Sequence, residues 1–71
     1  MNNIIDIQIT TEYIKLDQLL KLSGLAESGG DAKYIILNEN ILLNGGRVTQ
    51  RGKKVRPGDV VVFRETKINV C

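Results

Sequence analysis

Leu16, Leu19 and Leu20 fall at i, i+3 and i+4, and Ala32, Ile35 and Ile36 repeat that helical spacing further along. Each set makes one apolar stripe on a short helix, over about residues 15–22 and from Ser28 to about Asn38. Asp17 sits in the first turn of the first helix, where the helix dipole favours a negative charge. Ser23-Gly24 ends that helix, and Leu25 packs beneath the connection. Two short helices joined by a brief loop pack antiparallel or steeply crossed, and neither buries its stripe alone. The other apolar residues follow a different period. Ile5, Ile7 and Ile9 alternate with Asp6, Gln8 and Thr10, which is the pattern of a half-buried strand. Ile41 and Leu43 alternate in the same way, and Val60 to Phe63 form a strand with Val61 and Phe63 on one face. Ile68 and Val70 make a last strand that pairs with the first. Asn44-Gly45 and Pro57-Gly58-Asp59 are turn signals between these segments, and Val48 and Val55 are inward positions flanking the loop between them. The expected fold is α+β in the order β-α-α-β-β-β, with a small, mostly antiparallel sheet beside the helix pair.

Seventy-one residues make one small domain, expected to span 1–71 with no linker, repeat or low-complexity segment. There is no His, and the only Cys is Cys71. A disulfide framework, a Cys/His zinc site and Cys–His or Ser–His–Asp catalysis are therefore excluded within one chain. Met1-Asn2-Asn3-Ile4 lacks the basic start and apolar run of a signal peptide. No apolar stretch approaches the ~18 residues of a membrane helix. The expected setting is the reducing cytoplasm, with no cofactor and no metal. Asp17 reads as a helix-start residue and Asp59 as a turn residue. Cys71 has no neighbour that would activate its thiol. No pair of carboxylates or lysines has a spacing that suggests catalysis, so the chain is not expected to be an enzyme.

Charge is distributed unevenly along the chain. Residues 1–39 hold Lys15, Lys21 and Lys33 against Asp6, Glu12, Asp17, Glu27, Asp31 and Glu39, a net of −3. Residues 40–71 hold seven basic and two acidic side chains, a net of +5. Between Asn40 and Gly58 there is no acid, while Arg47, Arg51, Lys53, Lys54 and Arg56 all fall there. A cluster of one sign raises the local potential and attracts polyanions. The same run also suits a solvated loop that keeps a small protein soluble.

Residues 27–33 read Glu-Ser-Gly-Gly-Asp-Ala-Lys. Ser28 can cap the second helix, and Asp31 stands at capping-box spacing. Gly29 and Gly30 then occupy the first helical turn, although Gly is poor inside a helix. Bare N–H groups at a positive helix end can approach a phosphate, and Lys33 adds charge one turn on. An ordinary tight turn into a helix would give the same letters.

Taken in order, these fragments resemble a known family over residues 14–63. They are Ile14-Lys15-Leu16-Asp17 with Leu20, Gly24, Ser28 with Ala32, Ile41-Leu42-Leu43-Asn44-Gly45, and Val55 followed by Pro57-Gly58-Asp59 and Val61. The pattern is similar to the RNA-binding domain named after small-subunit ribosomal protein S-four. The Ser-Gly-Gly-x-Ala-Lys helix start looks like that of short, stand-alone bacterial members. The family usually has Arg at the place of Lys15 and Arg after the capping Ser, where this chain has Gly29.

The resemblance implies a non-catalytic module that binds structured RNA, such as ribosomal or transfer RNA, and acts as a monomer. Double-helical RNA is recognised mainly by shape and phosphate contacts. The expected RNA-facing set is Lys15, Ser28, Gly29, Gly30, Lys33, Arg47, Arg51, Lys53, Lys54 and Arg56, from two helix starts and the basic loop. Tyr34, next to Lys33, offers a ring for stacking on an exposed base, or else packs at the helix edge with its hydroxyl in water. The alternative is a protein-interaction module whose basic loop docks an acidic partner.

Overall fold

The computed structural model describes residues 3–71; Met1 and Asn2, from the N-terminal stretch read above, lie outside the described residues. The chain runs β1 (Asn3–Ile7), β2 (Ile14–Lys15), α1 (Leu16–Leu22), α2 (Gly29–Asn38), β3 (Ile41–Leu43), β4 (Gly46–Val48), β5 (Lys54–Val55), β6 (Val60–Phe63) and β7 (Thr66–Val70). This is the expected α+β order with three very short strands added. Five strands form one sheet in the order β1-β7-β6-β3-β4, and β2 pairs with β5 in a separate ladder. All pairings are antiparallel except β1 with β7, which run parallel from Asn3↔Thr66 to Ile7↔Val70.

One core lies between the sheet and the helices. Leu16, Leu19, Leu20, Ala32, Ile36, Ile41, Val55, Val61 and Ile68 are fully buried. Each large aliphatic side chain so buried contributes about 1.5–3 kcal/mol over leaving it in water. Both predicted helical stripes face this core, with Ile35 half-buried at the edge. Gly24, at φ +84, ends α1 in a left-handed conformation that costs glycine little. Its N–H donates to the Lys21 carbonyl, and that of Leu25 to the Leu20 carbonyl. This is the Schellman arrangement, which turns Leu25 back onto the core.

The Asn44-Gly45 turn forms as expected, with φ 51 and 88, and connects β3 to β4 through two residues. Paired left-handed residues match the twist of a type I′ hairpin. Asn44 does more than turn. Its amide Nδ2 donates to Asp59 Oδ1 at 3.1 Å, and its Oδ1 accepts from the Val60 N–H at 2.9 Å. Asp59 Oδ2 in turn accepts from the Arg56 N–H at 2.8 Å. The basic segment is thus closed at its two ends by one side-chain clasp.

A second device fixes the middle of that segment. The Leu16 N–H donates to the Lys53 carbonyl at 2.9 Å, and the Asp17 N–H to the Arg51 carbonyl at 3.0 Å. The Gln18 N–H is taken by Asp17 Oδ1 at 2.8 Å. The first turn of a helix leaves such donors without intrahelical partners. Here the loop supplies them, and the ladder Ile14↔Val55 and Lys15↔Lys54 continues the clamp. Far along the chain, the Arg64 guanidinium grips Glu39 Oε1 at 2.9 and 3.0 Å and ties the end of α2 to the β6–β7 turn.

Two outcomes follow from the clamp and the clasp. Amide exchange at Leu16 and Asp17 is expected to be slow, as in the core. Val55→Ala, which removes the buried anchor of β5 at a cost of roughly 2 kcal/mol, should speed exchange at both amides more than at Leu20. Rapid exchange at both in the unsubstituted chain would show the loop to be loose. The Asp59 carboxyl is held below its ordinary value, first by the Arg56 N–H, then by the Asn44 amide, with the Arg56 and Lys53 charges adding to them. A lowered folded-state value means stability that is present above the ordinary carboxylate range and lost as pH falls through the folded value. Thermal melts taken from neutral pH downward should show this acid-side loss reduced in Asp59→Asn.

Candidate nucleic-acid interface

The clamp and the clasp decide where the basic side chains stand. In an antiparallel ladder, directly opposed residues project to the same face. Lys15 and Lys54 are opposed in this way, while their neighbours Ile14 and Val55 turn inward. Arg56 shares the outward side of the chain with Lys54, because the two alternate about buried Val55. Arg51 and Lys53 are held beside the same helix start by their own carbonyls. Arg47 and Lys53 line a shallow groove of about 180 Å³ together with Val48, Thr49 and Gln50. The structure therefore gathers six predicted residues, Lys15, Arg47, Arg51, Lys53, Lys54 and Arg56, around the loop and the start of α1.

All six are exposed, and among the described residues none forms an ion pair with a carboxylate. The described ion pair uses Arg64 and Glu39, neither of them in the predicted set. Like charges placed directly opposite in a ladder repel, so the Lys15–Lys54 pair is a local cost. Part of that repulsion is relieved by Tyr13, whose half-buried ring lies 4.9 Å below the Lys54 ammonium. Sequence reading missed this contact. Two facing strands of two residues each leave no period in the sequence that would announce it.

The helix starts behave differently from one another. At α1 the first-turn N–H groups of Leu16, Asp17 and Gln18 are already occupied by the loop and by Asp17. There Lys15 offers its side chain, and the helix end offers no free donors. At α2, Ser28 Oγ accepts from the Asp31 N–H at 3.1 Å, as the capping spacing predicted. The return bond from Asp31 to the Ser28 N–H is absent among the described residues. The Gly29 and Gly30 N–H groups are exposed and have no protein partner among the described residues.

Nothing inside the chain requires those two glycines. Both have ordinary helical backbone, and a Cβ would meet nothing within 4 Å at Gly29 and only Ser28 Oγ at 3.8 Å at Gly30. Lys33 is exposed one turn further along α2. No hydrogen bond or ion pair among the described residues joins the start of α2 to the basic loop. The predicted set thus falls into a clamped cluster of six cations and a separate helix start holding Ser28, Gly29, Gly30 and Lys33.

Comparison with known proteins bears on what these elements are. The family model described as S4 domain matches residues 7–71. A probable ribosome maturation protein, RlbA, of Bacillus subtilis (strain 168) is 44% identical over 55 residues, covering 78% of this chain and 78% of that protein. Small ribosomal subunit protein uS4 of Streptomyces griseus is 37% identical over 51 residues, covering 72% of this chain but 25% of that protein. The uS4 protein of Natranaerobius thermophilus is also 37% identical over 51 residues, covering 72% of this chain and 24% of that protein. The chain thus spans about a quarter of the length of these uS4 relatives and most of the length of RlbA. No helix among the described residues is long and apolar enough to cross a membrane. The helix pair, the Asn44-Gly45 hairpin and the Pro57-Gly58-Asp59 turn stand in the order the resemblance implied, and with a family match from residue 7 to residue 71 this chain belongs to the S4 family of RNA-binding domains.

Proposed function

We propose that this chain is a non-catalytic module that binds structured RNA of the ribosome or its precursors in the bacterial cytoplasm. One observation carries the reading. The fold holds six exposed cations around one clamped loop, opposes two of them directly, and among the described residues pairs none with a carboxylate. A merely soluble surface has no need of such an arrangement, because mixed signs serve solubility with less repulsion. A regularly spaced polyanion relieves the repulsion and releases its own counterions. The relatives named for ribosome maturation and for the small ribosomal subunit support RNA of that class as the ligand.

In this reading Lys15, Arg47, Arg51, Lys53, Lys54 and Arg56 track the phosphates of one RNA segment. Lys54 is steadied by Tyr13 and the loop by its bonds to α1, so little ordering remains for binding to impose. Ser28, Gly29, Gly30 and Lys33 form a second contact. There the bare N–H groups of α2 receive a phosphate, in place of the Arg that the family usually presents.

Two measurements test the two contacts separately. Affinity for a ribosomal RNA fragment should fall with salt at a log-log slope of about −0.7 to −0.9 for each phosphate engaged. Arg51→Ala with Lys53→Ala should flatten that slope by about two. An unchanged slope would remove the loop from the interface. Gly29→Ala with Gly30→Ala should raise stability by ~0.4–1 kcal/mol per site, because the backbone already has helical geometry there. The same double variant should bind RNA several-fold more weakly. A stabilised variant with full affinity would leave the glycine helix start without a part in binding.

A further inference from the structure

The outward face of α2 carries two large apolar side chains, Tyr34 and Leu37, that the fold leaves uncovered. Measured around the helix from buried Ala32 and Ile36, Gly30, Tyr34 and Leu37 point away from the core, with Lys33 at their side. Tyr34 is 64% exposed and Leu37 is 52% exposed. The Tyr34 hydroxyl has no partner among the described residues, and its carbonyl accepts from Asn38 Nδ2 at 3.0 Å. Gly30 and Tyr34 stand one turn apart on this outward side of the helix. Gly30 puts no side chain there. The fold does not demand that glycine, since a Cβ would meet only Ser28 Oγ at 3.8 Å, and glycine weakens the helix relative to alanine.

We propose that Tyr34, backed by Leu37, is a stacking platform for one unpaired base of the bound RNA, with Lys33 holding an adjacent phosphate. The occupant is argued from shape and charge together. An exposed flat aromatic surface suits a planar ring, and Lys33 beside it, a cation with no ion pair among the described residues, suits a planar ring that carries a phosphate. A duplex buries both faces of every base, so the ligand is RNA with an unpaired nucleotide beside a helical stem. This inference rests on the RNA-binding reading above and sharpens it: the basic loop tracks phosphates, and α2 selects for an unpaired base.

The test uses two RNA hairpins with one stem sequence, one fully paired and one carrying a single unpaired adenosine. Affinities of the full chain are measured at one low salt concentration. Tyr34→Ala should weaken binding of the bulged hairpin roughly five- to hundredfold and change the paired hairpin by less than about twofold. Tyr34→Phe, which keeps the ring, should retain affinity. A fluorescent adenine analogue at the unpaired position should be quenched by the unsubstituted chain and not by Tyr34→Ala. Circular dichroism checks that the variants are folded, as exposure of Tyr34 leads one to expect. Equal weakening on both hairpins, or on neither, overturns the platform while leaving the RNA-binding reading in place. Unchanged RNA affinity together with lost binding of a protein would assign this face to that protein and overturn the inference. Failure of the unsubstituted chain to bind either hairpin would overturn the RNA-binding reading itself and the platform with it.

Discussion

Two backbone hydrogen bonds, from the Leu16 and Asp17 N–H groups to the carbonyls of Lys53 and Arg51, hold this molecule in its working form. Each contributes only about 0.5–1.5 kcal/mol net. Their effect exceeds that value because of what they join. On one side they complete a helix of seven residues that cannot cap itself, since Lys15 makes no side-chain cap bond. On the other they fix a loop made almost wholly of residues that would otherwise be solvated. With the loop fixed, the buried Val55 seats beneath it and Lys15 and Lys54 are brought face to face.

The local features were legible because local rules govern them. Helical spacing found both stripes, the Asn44-Gly45 pair found its turn, and Ser28 was placed as a cap that the structure bears out through the Asp31 N–H. The clamp was not legible. It joins main-chain groups far apart in sequence, and main-chain groups carry no signature in the letters. The ladder of β2 with β5 has two residues on each side, too few for a period to register. The last strand pairs with the first as expected, but the parallel direction of that pairing depends on the course of the whole chain between them. Arg64, at φ 55, sits in a turn that holds none of the residues usually found at such a conformation, and its grip on Glu39 was likewise unannounced.

The candidate site divides along the same line. An acid-free run of basic residues is a property of the sequence and could be read from it. Which of those cations face one another is a property of register, and the structure supplies it. The glycines of the second helix are a mixed case. Sequence reasoning says that two together need a cause, and the structure removes the internal ones, namely positive φ and crowding.

The parallel pairing of β1 with β7 has a consequence for how the molecule is made. β7 lies between β1 and β6, so the first strand has no neighbour in the sheet until residues 66–70 are in place. Among the described strands β1 is made before all the others and β7, its sheet partner, after them. The isoleucines of β1 can therefore reach their place in the sheet only once residues 66–70 are available to pair with them.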